Sequence, residues 1–184
     1  MPALAKSIMT FEQFLAFAEG RSGKWELIEG APVAMSPERV AHGDMKYRVA
    51  RALDEAIARA KKPCRFVLDS AAVKIDANNS YQPDAMVYCG EAVSPDALFV
   101  PNPVIVVEVL SPSNALRDLR DKLAGYFKVA SVAHYLIVDP DEALVIHHQR
   151  RGEDILTRIV REGVIALDPP GIEVAMGEIY GARA

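Results

Sequence analysis

A chain of 184 residues, 51% of them hydrophobic and 25% charged, has the length for one domain with its own core and a composition that excludes disorder as the default reading. MPALAKSIMT at the start lacks a continuous apolar run and no stretch approaches membrane-spanning length, so a single domain over 1–184 with no membrane partner is expected. A formal net charge of −4 does not announce a nucleic-acid partner and does not exclude one, since local basic patches and bound cations matter more than the total.

Taken in chain order, TFEQFLAFAEG predicts a short helix, with Thr10 as N-cap, Phe11, Phe14, Leu15 and Ala18 on one face, and Gly20 as terminator. KWELIEG and APVAM read as two strands turning at Glu29-Gly30. Ser36-Pro37-Glu38 opens a long helix, Ser36 capping it and Pro37 at its first position. Met45, Val49, Leu53, Ala56 and Ala60 recur along it at helical spacing, and Pro63 ends it. RFVLDSAAVKI is largely strand, and Asp84 to Tyr88 and Pro103 to Leu110 are the next strands.

Helix resumes near Asn114 and runs to about Ala130, with Leu116, Leu119, Leu123, Phe127 and Ala130 on one stripe. HYLIVD is a buried strand stopped by Asp139-Pro140, and ALVIHHQ and DILTRIV form a hairpin around Arg150 to Glu153. The tail adds short strands, turns and a final helical turn. Strands and helices interleave, so the fold class is α/β or α+β with a mixed central sheet flanked by helices. Cys64 and Cys89 lack CxxC spacing, so no structural disulfide is expected and a reducing cytoplasm fits the chain.

One residue is out of character with its surroundings. PVIVVEVL, Pro103 to Leu110, is a strand built for burial on both faces, yet it carries Glu108. Period two places Val104, Val106, Glu108 and Leu110 on one face and Ile105, Val107 and Val109 on the other. An isolated ionised carboxylate there is too costly, so Glu108 is neutral, paired, bound to a cation, or near enough the strand end to reach water. Asp84 opens the preceding strand after Gln82-Pro83. Two carboxylates on two apolar strands suit a divalent cation, which prefers hard oxygen ligands, although Asp after Pro is also an ordinary turn residue.

Pro83-Asp84 followed by Glu108-Val109-Leu110 resembles the PD-(D/E)XK nucleases, the restriction-endonuclease-like superfamily. More closely, the chain is similar to a bacterial restriction endonuclease family within it, long catalogued as a domain of unknown function. WELIEG, MSP with His42 shortly after, QPD, VVEVLSPSN, DLRDK, GYF and HYLIVDP stand in that family's order, and GIEVAMGEIY resembles its ending. The resemblance implies a restriction-endonuclease-like sheet and metal-dependent hydrolysis of DNA. Asp84, Glu108 and the Val109 carbonyl would hold Mg²⁺ or Mn²⁺.

Leu110 stands where the superfamily has its lysine, and the resemblance offers Lys122 on the following helix instead. Helical geometry puts Asp118 and Lys122 side by side at the border of the apolar stripe, which also fits an ordinary surface pair. Asn114, His134 and Leu136 replace the family's usual threonine, glutamate and tryptophan.

Glu26 matches an acidic family position; its alternatives are a third carboxylate of the site and a solvent-facing residue of an edge hairpin. His42 shares a helical face with Met45 and Val49, either as a core histidine or as a phosphate-contacting imidazole. His147 and His148, adjacent on a strand, face opposite ways and read as structural. Lys46, Arg48, Arg51, Arg59, Lys61, Lys62 and Arg65, with Arg117, Arg120 and Lys128, form either a phosphate-tracking surface or solvated helix faces. DNA is thus the expected partner, and double-strand cutting asks for a homodimer. The competing readings are a catalytically inactive binding module and a hydrolase of RNA or a small phosphate ester.

Overall fold

The computed structural model describes residues 8–111 and 116–181. Its chain order is α1 (Phe11–Ala18), β1 (Trp25–Ile28), β2 (Ala31–Ala34), α2 (Val40–Ala60), β3 (Cys64–Leu68), β4 (Val73–Lys74), β5 (Ser80–Tyr81), β6 (Ala85–Cys89) and β7 (Pro103–Val109). There follow α3 (Leu116–Tyr126), β8 (His134–Asp139), β9 (Leu144–Arg151), β10 (Asp154–Val160), β11 (Val164–Leu167), β12 (Ile172–Ala175) and α4 (Met176–Tyr180).

The main sheet has six strands in the order β10-β9-β8-β7-β6-β3. Only β7 and β8 run parallel, so the sheet is mixed, as the interleaved pattern predicts. Apolar except for Glu108, β7 lies inside it, where both faces are covered. One face packs against α2: Val49, Leu53 and Ala56 meet Ile105, Val107 and Val109. The other face, with Val106, Tyr135 and Ile137, packs against Tyr126, Leu119 and Leu123 of α3. Glu108 belongs to this second face by its period.

A second sheet, ordered β2-β1-β5-β4, stands beside the first. Its β1–β2 hairpin turns at Glu29 and Gly30, whose φ of 50° and 74° suit the left-handed turn that matches strand twist. Phe11 and Phe14 of α1 cover Leu27 of β1. The β11–β12 hairpin and α4 lie against α2. Among the described residues no helix is long and apolar enough to cross a membrane.

Three expectations need correction. First, α2 begins at Val40 with Arg39 as its N-cap, not at Ser36–Pro37. Glu38 instead reaches Lys24 and Lys46 across the site, and the segment holding it stays outside the helix. Second, α3 ends at Tyr126 rather than near Ala130. The Arg150 guanidinium donates to the Phe127, Val129 and Val132 carbonyls, which holds the chain in tight turns there. Third, Cys64 and Cys89 are direct register partners of β3 and β6, with Cα atoms 3.9 Å apart, and they form a disulfide. Nothing local announces a pairing across 25 residues, and the inference of a reducing compartment falls with the premise it rested on.

Candidate active site

The site grows from the β6–β7 pairing. The Asp84 amide donates to the Val107 carbonyl at 3.0 Å, which fixes the start of β6 beside the end of β7. Its carboxylate turns back to accept the Val109 amide at 2.6 Å. From α2, Lys46 Nζ lies 2.6 Å from Asp84 Oδ1, and His42 Nε2 lies 3.6 Å from Asp84 Oδ2. His42 therefore sits on the site rather than in the core, and its Nδ1 is buried with no hydrogen-bond partner.

Glu108 is buried one strand over. Its Oε1 accepts from Lys122 Nζ at 3.0 Å and from the Tyr126 hydroxyl at 2.6 Å. Lys122 also lies 3.1 Å from Glu26 Oε1, and Glu26 in turn accepts the Gln82 amide. The helix lysine thus bridges β1 and β7. Glu26 is buried on an inner strand and is not the solvent-facing residue of an edge hairpin.

Electrostatics separate the two acids. Burial raises the Asp84 pKa, but His42, Lys46 and the Val109 amide outweigh it and the carboxyl is held below its usual range. For Glu108, burial dominates; Asp84 and Glu26 add to it, Lys122 and Tyr126 oppose it, and the result is about 7. Part of the balance expected from a cation is therefore supplied by protein groups.

A cleft of about 740 Å³ opens onto Glu26, His42, Asp84, Glu108 and Lys122. In the ion-pair network beside it, the carboxylates of Glu26, Glu38, Asp69, Asp84 and Glu108 outnumber the ammoniums of Lys24, Lys46 and Lys122 that they contact, among the described residues. That excess of hard oxygen donors suits a divalent cation. Glu38, His42 and Asp84 also offer ligand atoms within 4.8 Å of one another, a group that does not include Glu108.

Sequence reading missed Tyr126, Glu38 and Asp69, and it misplaced Lys46. Tyr126 follows Lys122 by one helical turn, a spacing that puts both on the same face. Lys46 follows His42 by the same interval, but reads as one basic residue among several. It is 2% exposed and belongs to the carboxylate cluster, not to a surface that tracks phosphates. Asp69 carries no local signal.

Several of the other basic residues pair with acids: Arg48 meets Asp44, Arg59 meets Glu178, Arg120 meets Asp121 and Lys128 meets Asp76. Arg117 lies in α3, and its side chain, like that of Asp118, is outside the described residues, as is Asn114. His147 and His148 do face opposite ways, toward His134 and toward Thr157.

A family model described as "Uma2: Putative restriction endonuclease" matches residues 11–176. An uncharacterized protein of Synechocystis sp. is 26% identical over 166 residues, covering 88% of this chain and 93% of that protein. Among solved structures, a putative nuclease belonging to DUF820 from Anabaena variabilis superposes with a TM-score of 0.71 at 16% identity. That match covers 94% of this chain and 97% of the other.

Proposed function

The chain belongs to the Uma2 putative restriction endonuclease family, and on that premise we propose that it is an endonuclease that hydrolyses DNA phosphodiester bonds with Mg²⁺ or Mn²⁺. The observation that supports this reading is the convergence of Glu26, Asp84, Glu108 and Lys122, from two sheets and a helix, on one cleft. A divalent cation held by Asp84, Glu108 and the Val109 carbonyl would polarise the phosphodiester and make an attacking water more acidic.

This chain's own groups do the rest. Lys122, tethered by Glu26 and Glu108, holds a positive charge where negative charge develops on phosphate or water. Glu26 orients that ammonium. His42 sets an imidazole beside Asp84, placed to contact a phosphate oxygen or to handle a proton. Cutting both strands of a duplex would require two such sites, hence a homodimer.

Incubation with a mixed DNA and RNA panel in Mg²⁺ or Mn²⁺ tests the reading. The wild type is expected to cleave DNA only with metal, and Asp84→Ala and Glu108→Ala are expected to abolish cleavage. Cleavage confined to RNA would move the substrate class. Binding without cleavage in either metal would favour an inactive module, a reading that Leu110 in the lysine place supports.

A further inference from the structure

The mechanism above leaves Lys46 unused, although lysine is almost never buried this fully unless paired. Its ammonium sits in a cage of three carboxylates from three parts of the chain. These are Asp84 Oδ1 at 2.6 Å, Glu38 Oε1 at 2.6 Å and Asp69 Oδ1 at 3.2 Å. The first belongs to the carboxylate that a divalent cation would need. The other Asp84 oxygen is already committed to the Val109 amide and faces His42. A cation arriving at Asp84 therefore meets a positive charge within bonding distance of its ligand, and the two repel across a few ångströms of poorly solvated interior.

Glu38 and Asp69 give that charge somewhere to go. Both are already within reach of the same ammonium, so Lys46 can release Asp84 and keep two partners. Lys24, which pairs with both, holds these acids in place from the solvent side. We propose that Lys46 is a built-in occupant of the Asp84 carboxylate, which a divalent cation must displace toward Glu38 and Asp69 in order to bind. The proposal rests on reading the cleft as a metal site. It makes Lys46 a positioning residue: it keeps the carboxylates assembled before the cation arrives and sets how tightly the cation is held.

Mn²⁺ binding to the full chain, measured calorimetrically for the wild type, Lys46→Met and Lys46→Gln, tests it. Both neutral variants are expected to bind Mn²⁺ about tenfold tighter or more, the order of effect expected from removing one close like charge. Without metal, Lys46→Met is expected to melt below the wild type, and added Mn²⁺ should close the gap. Should Lys46→Met not fold without metal, its circular dichroism during Mn²⁺ titration gives the same answer. Folding induced by Mn²⁺ supports displacement, and a chain still unfolded at Mn²⁺ levels that saturate the wild type overturns it. Equal or weaker Mn²⁺ affinity in folded variants, with the wild type binding normally, overturns the role of Lys46 alone. Absence of Mn²⁺ binding in all three proteins removes the metal site itself and this proposal with it.

Discussion

Tyr126 and Lys122 meet at one oxygen, Glu108 Oε1, from successive turns of α3. Tyr126→Phe keeps the packing of the ring and deletes only the donor. A buried hydrogen bond to a charged group contributes roughly 1.5–3 kcal/mol, so a loss of that size is expected in urea unfolding above about pH 8, where Glu108, with its pKa at about 7, is ionised. An unchanged midpoint would show that the bond contributes nothing.

Lys122→Met tests catalysis at the same oxygen, with an expected fall in turnover of about a hundredfold, the scale of losing one electrostatic group. Lys128→Met, whose ammonium lies on the surface 3.3 Å from Asp76, serves as the control and should cleave normally. Cleavage at wild-type rate by both variants would refute the assigned role. Lys122 is buried, and methionine fills the place of its stem, which by itself predicts a tolerated substitution. The structure amends that: methionine leaves Glu26 and Glu108 without this counterion. Breaking a buried pair costs about 3–5 kcal/mol, so rates should be compared at a temperature where both proteins are folded.

At the scale of elements, α1 is held at its start by a reciprocal cap. Thr10 Oγ1 accepts the Gln13 amide at 3.3 Å and Gln13 Oε1 accepts the Thr10 amide at 2.8 Å. Thr10→Ala should cost about 1 kcal/mol by chemical denaturation. The packing of α3 is less forgiving. Glycine inside a helix ordinarily costs about 0.5–1 kcal/mol relative to alanine, so Gly125→Ala would stabilise a free helix. Here the added Cβ would lie 2.4 Å from Tyr81 Cε2 and 2.8 Å from its hydroxyl. Overpacking of this kind costs about 1–3 kcal/mol, so net destabilisation is expected. A rise in melting temperature would mean that Tyr81 yields freely and that α3 is not pinned to β5 at this point.

Across the whole molecule, part of the response between about pH 7 and pH 5 should come from three histidines on β8 and β9. His134 Nδ1 and His147 Nε2 lie 2.8 Å apart and share one proton, while His148 is bonded to Thr157. Burial lowers the pKa of all three, that of His147 to about 4. The unfolded chain takes up these protons below about pH 6.5, whereas the folded chain resists until lower pH. Stability therefore falls as pH drops through that window, and the loss saturates near the folded value. Glu108 acts with the opposite sign: with its pKa at about 7, its contribution is present in acid and lost as pH rises. The two trends overlap in the wild type, so the difference between proteins is the useful quantity. Urea unfolding at pH 7 and pH 5 should show a flatter pH dependence for His147→Gln than for the wild type, by roughly 1–2 kcal/mol. Parallel pH profiles would mean that the pair accepts a proton without cost.

What the sequence determined by itself is periodic and local. Alternation and its absence mark β7 as a central strand, and a carboxylate inside it is conspicuous because burial makes it expensive. The 3.6-residue stripe of α3 places Lys122 at the edge of the sheet-facing side, and the motif order carries the family. The tertiary structure alone decided which charges meet. Lys46 and Lys122 look alike in sequence, yet one cages Asp84 with Glu38 and Asp69 while the other joins Glu26 to Glu108. The same holds for Cys64 opposite Cys89, and for Glu38, which lies outside the helix that Ser36 and Pro37 signal. These contacts depend on strand order and on how two sheets and two helices close around a cleft. Neither leaves a local imprint, because side-chain period reports which face is buried and not what lies across from it.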